Sequence, residues 1–104
     1  MARLILSLDG QVLAEYNMTK ERYTIGRLPD NDVRIDNVAV SGHHALIINI
    51  LNDSFLEDLN STNGTYVNRE RLAGSVLLAD NDVVHFSQAE FRIRQRSDEN
   101  ATML

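Results

Sequence analysis

Residues 45–59 read ALIINILNDSFLEDL, and this stretch decides between a helical and a β reading of the chain. A helix needs apolar residues that recur every three or four positions over ten or more residues. Here two short apolar runs, Ala45–Leu51 and Ser54–Leu59, flank the turn-forming pair Asn52-Asp53. Two strands with a tight turn between them are expected.

The same pattern continues outward in both directions. Arg3–Leu8 and Val12–Tyr16 flank Asp9-Gly10, a dipeptide that tolerates the positive φ of a hairpin turn. Arg22–Ile25, Val33–Ile35, Thr65–Val67, Val83–Phe86 and Glu90–Gln95 read as further short strands, with Ser87-Gln88 as another turn. Frequent short strands separated by turns indicate an all-β sandwich. DNDV occurs at 30–33 and again at 80–83, but neither copy carries the alternating oxygen ligands, central glycine and closing glutamate of a calcium loop. Each is expected to be a side-chain-capped turn entering a strand. On the terminal strand Arg92, Arg94 and Arg96 alternate with Phe91, Ile93 and Gln95, which gives one basic and one mostly apolar face.

The bulk properties narrow the function classes. With 104 residues a single domain is expected, filling 1–96 and followed by a flexible polar tail or linker start at 97–104. The absence of cysteine removes thiolate metal sites and cysteine nucleophiles and fits a reducing compartment. The apolar run Leu4–Leu8 is shorter than a signal-peptide core and far short of a membrane span, so a cytoplasmic protein with no membrane partner is expected. A formal net charge of −5 argues against a nucleic-acid partner, which would need an excess of Lys and Arg on the contacting face.

Residues 38–47, VAVSGHHALI, hold two of the three histidines. Ser41 and His44 lie three apart on a loop entering a strand, where alternation sends them to opposite faces, and no G-x-S-x-G elbow surrounds the serine. No catalytic residue is expected. His43 and His44 are adjacent and diverge in a strand, and His85 stands alone in VVHFS, so no metal site and no cofactor are expected. A hydrogen-bonded core or interface role is the reading for at least one histidine. A different combination points to an anion: Gly26-Arg27 at a strand end, Ser41-x-x-His44, and the hydroxyl- and amide-rich LNSTNGTYVN at 59–68. Loops at one end of a sandwich would gather a guanidinium fork, two hydroxyls and an amide, donors that suit phosphate oxygens and a peptide backbone.

In this order and spacing, Gly26-Arg27, Ser41-x-x-His44 and Asn63-Gly64-Thr65-x-x-Asn68, with the flanking YTIGRLPDNDVRID and LLADNDVVHF, resemble the forkhead-associated (FHA) domain over roughly residues 3–95. The resemblance implies an FHA-type β-sandwich of about eleven short, mostly antiparallel strands that binds phosphothreonine peptides without catalysis. It implies a partner protein or peptide phosphorylated by a Ser/Thr kinase, or the kinase itself. Carried over residue by residue, Arg27 and Ser41 take the phosphate, Thr62 lines the phosphate and methyl pocket, and Asn63 fixes the peptide backbone. Gly26, His44, Gly64 and Asn68 belong to the scaffold. Gly42 departs from the family, many members of which carry arginine or another polar side chain after the serine. Its N–H or the neighbouring His43 would then stand in as a donor, or Gly42 only satisfies a positive-φ turn and His43 is a solvated bystander. Gly42 and the negative net charge also motivate an alternative, an FHA-like interaction or oligomerisation domain with weak or no phosphate dependence. Arg69, Glu70 and Arg71 are placed by the family layout near peptide positions downstream of the phosphothreonine, or in an exposed hairpin turn.

Overall fold

Leu4 and Leu6 on the first strand and Phe91 and Ile93 on the last are each no more than 5% exposed, and the residues between them turn to the opposite face. This alternation builds one layer of a sandwich. A computed structural model of the protein describes residues 2–8, 10–86 and 89–95. The expected tail at 97–104, the Ser87-Gln88 turn and Arg96 lie outside the described residues. The strands are β1 (Ala2–Leu8), β2 (Gln11–Asn17), β3 (Arg22–Gly26), β4 (Val33–Arg34), β5 (Ala45–Ile50), β6 (Asp53–Asp58), β7 (Tyr66–Val67), β8 (Glu70–Arg71), β9 (Ser75–Leu77), β10 (Val83–Phe86) and β11 (Ala89–Gln95).

They form a six-stranded sheet in the order β2-β1-β11-β10-β7-β8 and a five-stranded sheet in the order β4-β3-β5-β6-β9. Among the described residues every strand pairing is antiparallel except that of β3 with β4. The core fills the space between the sheets, with Ile25, Leu56, Phe86 and Ile93 all at 0% exposure. Phe86 and Phe91 meet edge to face at 5.2 Å, a geometry that the ring quadrupoles favour. No helix among the described residues is long and apolar enough to cross a membrane.

Two local features differ from the sequence-based expectation. The β5–β6 turn is centred on Leu51-Asn52 rather than Asn52-Asp53, with Leu51 at φ 55° and Asp53 already paired opposite Ile50. Two further strands, β8 and β9, are only two and three residues long, too short to carry a period. β8 follows from the turn before it: Asn68 and Arg69 sit at φ 50° and 74°, the pair of positive φ values that a tight two-residue hairpin uses. Asn68 then secures that turn by accepting from the Val83 N–H at 3.0 Å and donating to Asp82 at 2.8 Å. Both DNDV copies are side-chain-capped turns entering strands, Asn31 Nδ2 donating to Leu28 O at 2.8 Å and Asp82 accepting from the Ala79 N–H. His85 is half-buried on an outer sheet face, with Nε2 3.0 Å from its cross-strand partner Glu90.

Candidate functional site

Strands β3 and β4 run in parallel, and β5 enters and β6 leaves beside the end of β3. The segments 27–32, 35–44 and 59–65 therefore meet at one end of the sandwich. Arg27, the first residue beyond β3, is tied to the second segment twice: its backbone N–H donates to Ser41 O at 3.0 Å and its Nε to Val40 O at 3.2 Å. These bonds aim an exposed guanidinium whose Nη groups have no carboxylate or hydrogen-bond partner among the described residues. Ser41 Oγ accepts the Thr62 N–H at 3.0 Å, and the hydroxyl proton remains to be donated elsewhere. Asn63 Nδ2 donates to Ala39 O at 2.8 Å, which fixes the amide with Oδ1 as an available acceptor. Arg27, Ser41, Thr62 and Asn63 are thus assembled by direct bonds between the three segments.

Gly26 is required by a close approach rather than by a turn. A Cβ there would lie 2.2 Å from Gly42 O and 2.8 Å from Asn31 Nδ2. That carbonyl is occupied by the Leu28 N–H at 3.3 Å and by Asn31 Nδ2 at 2.7 Å. We expect Gly26→Ala to push the two segments apart and to cost about 1–3 kcal/mol, the usual range for overpacking, read as a lower urea midpoint together with weaker ligand binding.

Gly42 is not in the left-handed region, which among the described glycines holds Gly10, Gly64 and Gly74. This corrects the positive-φ reading of Gly42. Its small size instead accommodates Leu28, whose Cδ1 and Cγ would stand 3.0 and 3.2 Å from an added Cβ. His43 is exposed and faces both Asp30 carboxylate oxygens through Nε2, at 2.9 and 3.1 Å.

His44 is fully buried and braces the site from beneath. The Ser41 N–H donates to its Nδ1 at 3.0 Å, so the ring proton sits on Nε2 and is donated to Gly64 O at 3.0 Å. The ring also meets Phe86 edge to face at 5.1 Å, which ties the loops to the core. Burial holds the imidazole below its ordinary pKa of 6.5 against the smaller upward pulls of Gly64 O and the Asp58 carboxylate. The fold thus accepts the neutral ring, while the unfolded chain takes a proton near 6.5. The contribution is complete above that value and is lost as pH falls below it, at up to about 1.4 kcal/mol per pH unit. We expect imidazole nitrogen shifts to report a mostly neutral Nε2–H ring at about pH 6.5, where the unfolded-chain imidazole is half protonated, and the urea midpoint to fall as pH drops from about 7.5 through 6.5. A ring already protonated at pH 6.5 contradicts this.

Asp58 shapes the third segment and was not legible as a site residue, although D-x-x-S is a side-chain-capped turn signal. It accepts the Ser61 N–H at 3.1 Å and the Ser61 and Thr65 hydroxyls at 2.6 Å each. Burial pushes its carboxyl up, but these donors together outweigh that and hold it below its ordinary 3.8. Its contribution is present above that value and is lost under stronger acid. Gly64, at φ 85°, lies under the Arg71 guanidinium, whose Nε would be 2.9 Å from an added Cβ. Arg71 thus lies over Gly64, the residue after Asn63, whereas Arg69 occupies the turn at the other end of β7 and lines a surface hollow with His85 and Arg92.

Ser41 Oγ and the His44 ring are not hydrogen-bonded to each other; the contact runs from the serine backbone N–H. Among the described residues no three His, Asp or Glu side chains are grouped to hold a metal ion. What the arrangement offers is a fixed cation fork, a hydroxyl donor and an amide on one exposed rim.

Residues 23–87, from β3 to just beyond β10 and including all three segments, match the FHA domain family. The chain belongs to the FHA family. FHA domains are binding modules rather than enzymes. The domain is 42% identical over 67 residues to the transcriptional regulatory protein EmbR of Mycobacterium tuberculosis, a span of 64% of this chain and 17% of that one. The solved structure of M. tuberculosis EmbR in complex with a low-affinity phosphopeptide superposes with a TM-score of 0.82 at 34% identity, covering 90% of this chain and 24% of that chain. The FhaA FHA domain, solved in complex with the intracellular domain of Rv3910, gives the same TM-score and identity and covers 90% of this chain and 100% of that one. The chain therefore spans less than a quarter of EmbR and the whole of the FhaA domain.

Proposed function

We propose that this FHA domain binds phosphothreonine-containing segments of partner proteins, downstream of a Ser/Thr kinase in the cytoplasm, without catalysis, metal or cofactor. The observation that carries the reading is the Arg27 guanidinium, aimed by Val40 O and with its Nη groups uncommitted, beside the Ser41 hydroxyl proton. A phosphate of charge about −1.5 to −2 accepts the planar fork through two oxygens and the serine hydroxyl through a third. Thr62 closes the pocket over the phosphothreonine methyl, whose burial contributes only about 0.8 kcal/mol. Selectivity over phosphoserine then depends on how rigidly the loops exclude other shapes, and the Asp58 and His44 bonds supply that rigidity. Asn63 Oδ1 accepts from the peptide backbone. Gly42 leaves the phosphate without an additional side-chain donor, and His43, engaged with Asp30, does not replace it. Arg71, laid over Gly64 beside Asn63, favours an acidic residue flanking the phosphothreonine.

A library of random-sequence peptides around a fixed phosphothreonine, compared with phosphoserine and unmodified threonine libraries, tests this. Retention of phosphothreonine peptides enriched in Asp or Glu is expected, with the acidic enrichment lost in Arg71→Ala. Equal retention of phosphorylated and unmodified libraries would falsify the reading.

A further inference from the structure

The outer face of the five-stranded sheet carries a stripe that a solvated face does not require. Pairing aligns Arg22, Ile48, Phe55 and Leu77 across β3, β5, β6 and β9, with Leu46 and Ile50 on either side of Ile48. Ile50 and Leu77 are 54% and 51% exposed, and Ile48 and Phe55 are half-buried. At the end of the stripe Leu51 is 98% exposed at φ 55°, a place where Gly or Asn is less strained and a leucine meets only water. An apolar patch bounded by polar residues is the pattern of a contact surface.

The charges around it identify the occupant. Arg22 stands at the β3 end of the stripe, and Asp53 and Glu57 stand on β6 on either side of Phe55; among the described residues none of the three is paired with an opposite charge. An apolar bar with a cation at one end and carboxylates on both sides of its Phe55 is complementary to itself.

We propose that this face associates with the same face of a second copy of the chain. A two-fold axis lying between the faces along β5 carries Arg22 of each copy over β6 of the other, toward Glu57, and stacks Ile48 on its own counterpart at the centre. The stripe is smaller than a standard stable interface, so a dimer with a Kd of about 10–100 μM is expected. Arg27, Ser41 and Asn63 lie at the end of the sandwich and stay open in such a pair. The proposal does not depend on what that end binds, but two open ends would raise the apparent affinity for a multiply phosphorylated partner.

Sedimentation equilibrium of the 104-residue chain at about 10 μM to 1 mM tests it, over a range chosen around that Kd. A monomer–dimer equilibrium is expected, abolished by Phe55→Glu and weakened several-fold by Leu51→Asn. Arg22→Glu and Glu57→Arg should each weaken self-association about tenfold, by like-charge contact. An equimolar mixture of those two variants should recover it, a readout that a folding defect does not reproduce. A chain that stays monomeric throughout overturns the proposal and leaves the face to a different protein. So does a dimer indifferent to these changes, or a mixture that fails to recover.

Discussion

Arg27→Ala is expected to weaken binding of the tightest library-selected phosphothreonine peptide by about a hundred- to a thousandfold, as measured by fluorescence anisotropy. The magnitude follows from two charge-assisted hydrogen bonds at about 1.5–3 kcal/mol each, reduced because the guanidinium is exposed and screened by salt. Stability should change little, because the side chain is exposed and its bond among the described residues runs to Val40 O. Arg27→Lys should recover only part of the loss, since an ammonium is a point charge that reproduces neither the fork nor the Nε bond that aims it. Undiminished binding by Arg27→Ala would remove the phosphate from this end of the sandwich.

His44→Ala should lower the stability of the fold by about 3–5 kcal/mol, the scale of emptying a large buried site. Two groups lose their partner at once, the Ser41 N–H and Gly64 O, and the ring contact with Phe86 disappears. A domain of this size typically has only about 5–15 kcal/mol in hand, so the variant should melt many degrees lower. His44→Phe separates the effects: it keeps the ring volume and the Phe86 contact and leaves both polar groups unpaired, at about 1–3 kcal/mol each. Peptide affinity should fall in both variants, because the bonds that set Ser41 beside Thr62 lose their support. A His44→Ala protein as stable as the parent would show that the brace carries no weight.

Sequence legibility tracked how much chain each feature occupies. The β1–β2 and β5–β6 pairs could be read because runs of six or seven residues show apolar patterning on either side of a turn. β8 and β9 could not, because two or three residues carry no period and Glu70–Arg71 becomes a strand only through the positive-φ pair before it. The turn at Leu51 was misplaced by one residue for a related reason: Asn52-Asp53 is the better turn former, and cross-strand pairing of Asp53 with Ile50 overrode that preference. At the site, Arg27 and Ser41 stood out by residue type at a strand end and a loop, while Thr62 and Asn63 stood out within the 59–68 loop through the resemblance to the FHA family. Val40 O, Asn31 and Asp58 did not, since their contributions are a carbonyl, an amide bridge and a set of accepted bonds that exist only once the three segments meet. Gly42 was singled out for the right position and one wrong cause, as its contact with Leu28 is tertiary and leaves no local signal.

The central claim is that phosphothreonine is held at the end of the sandwich by Arg27, Ser41, Thr62 and Asn63. Titrating a nitrogen-15-labelled domain with a selected phosphothreonine peptide and its unphosphorylated twin tests that most directly. Large shifts are expected at the Arg27 Nε and at the Ser41, Thr62 and Asn63 amides with the phosphopeptide alone, while Ile48 and Phe55 on the outer sheet face stay in place. Shifts that are the same for both peptides, or that fall elsewhere and leave Arg27 and Ser41 unmoved, would contradict the account.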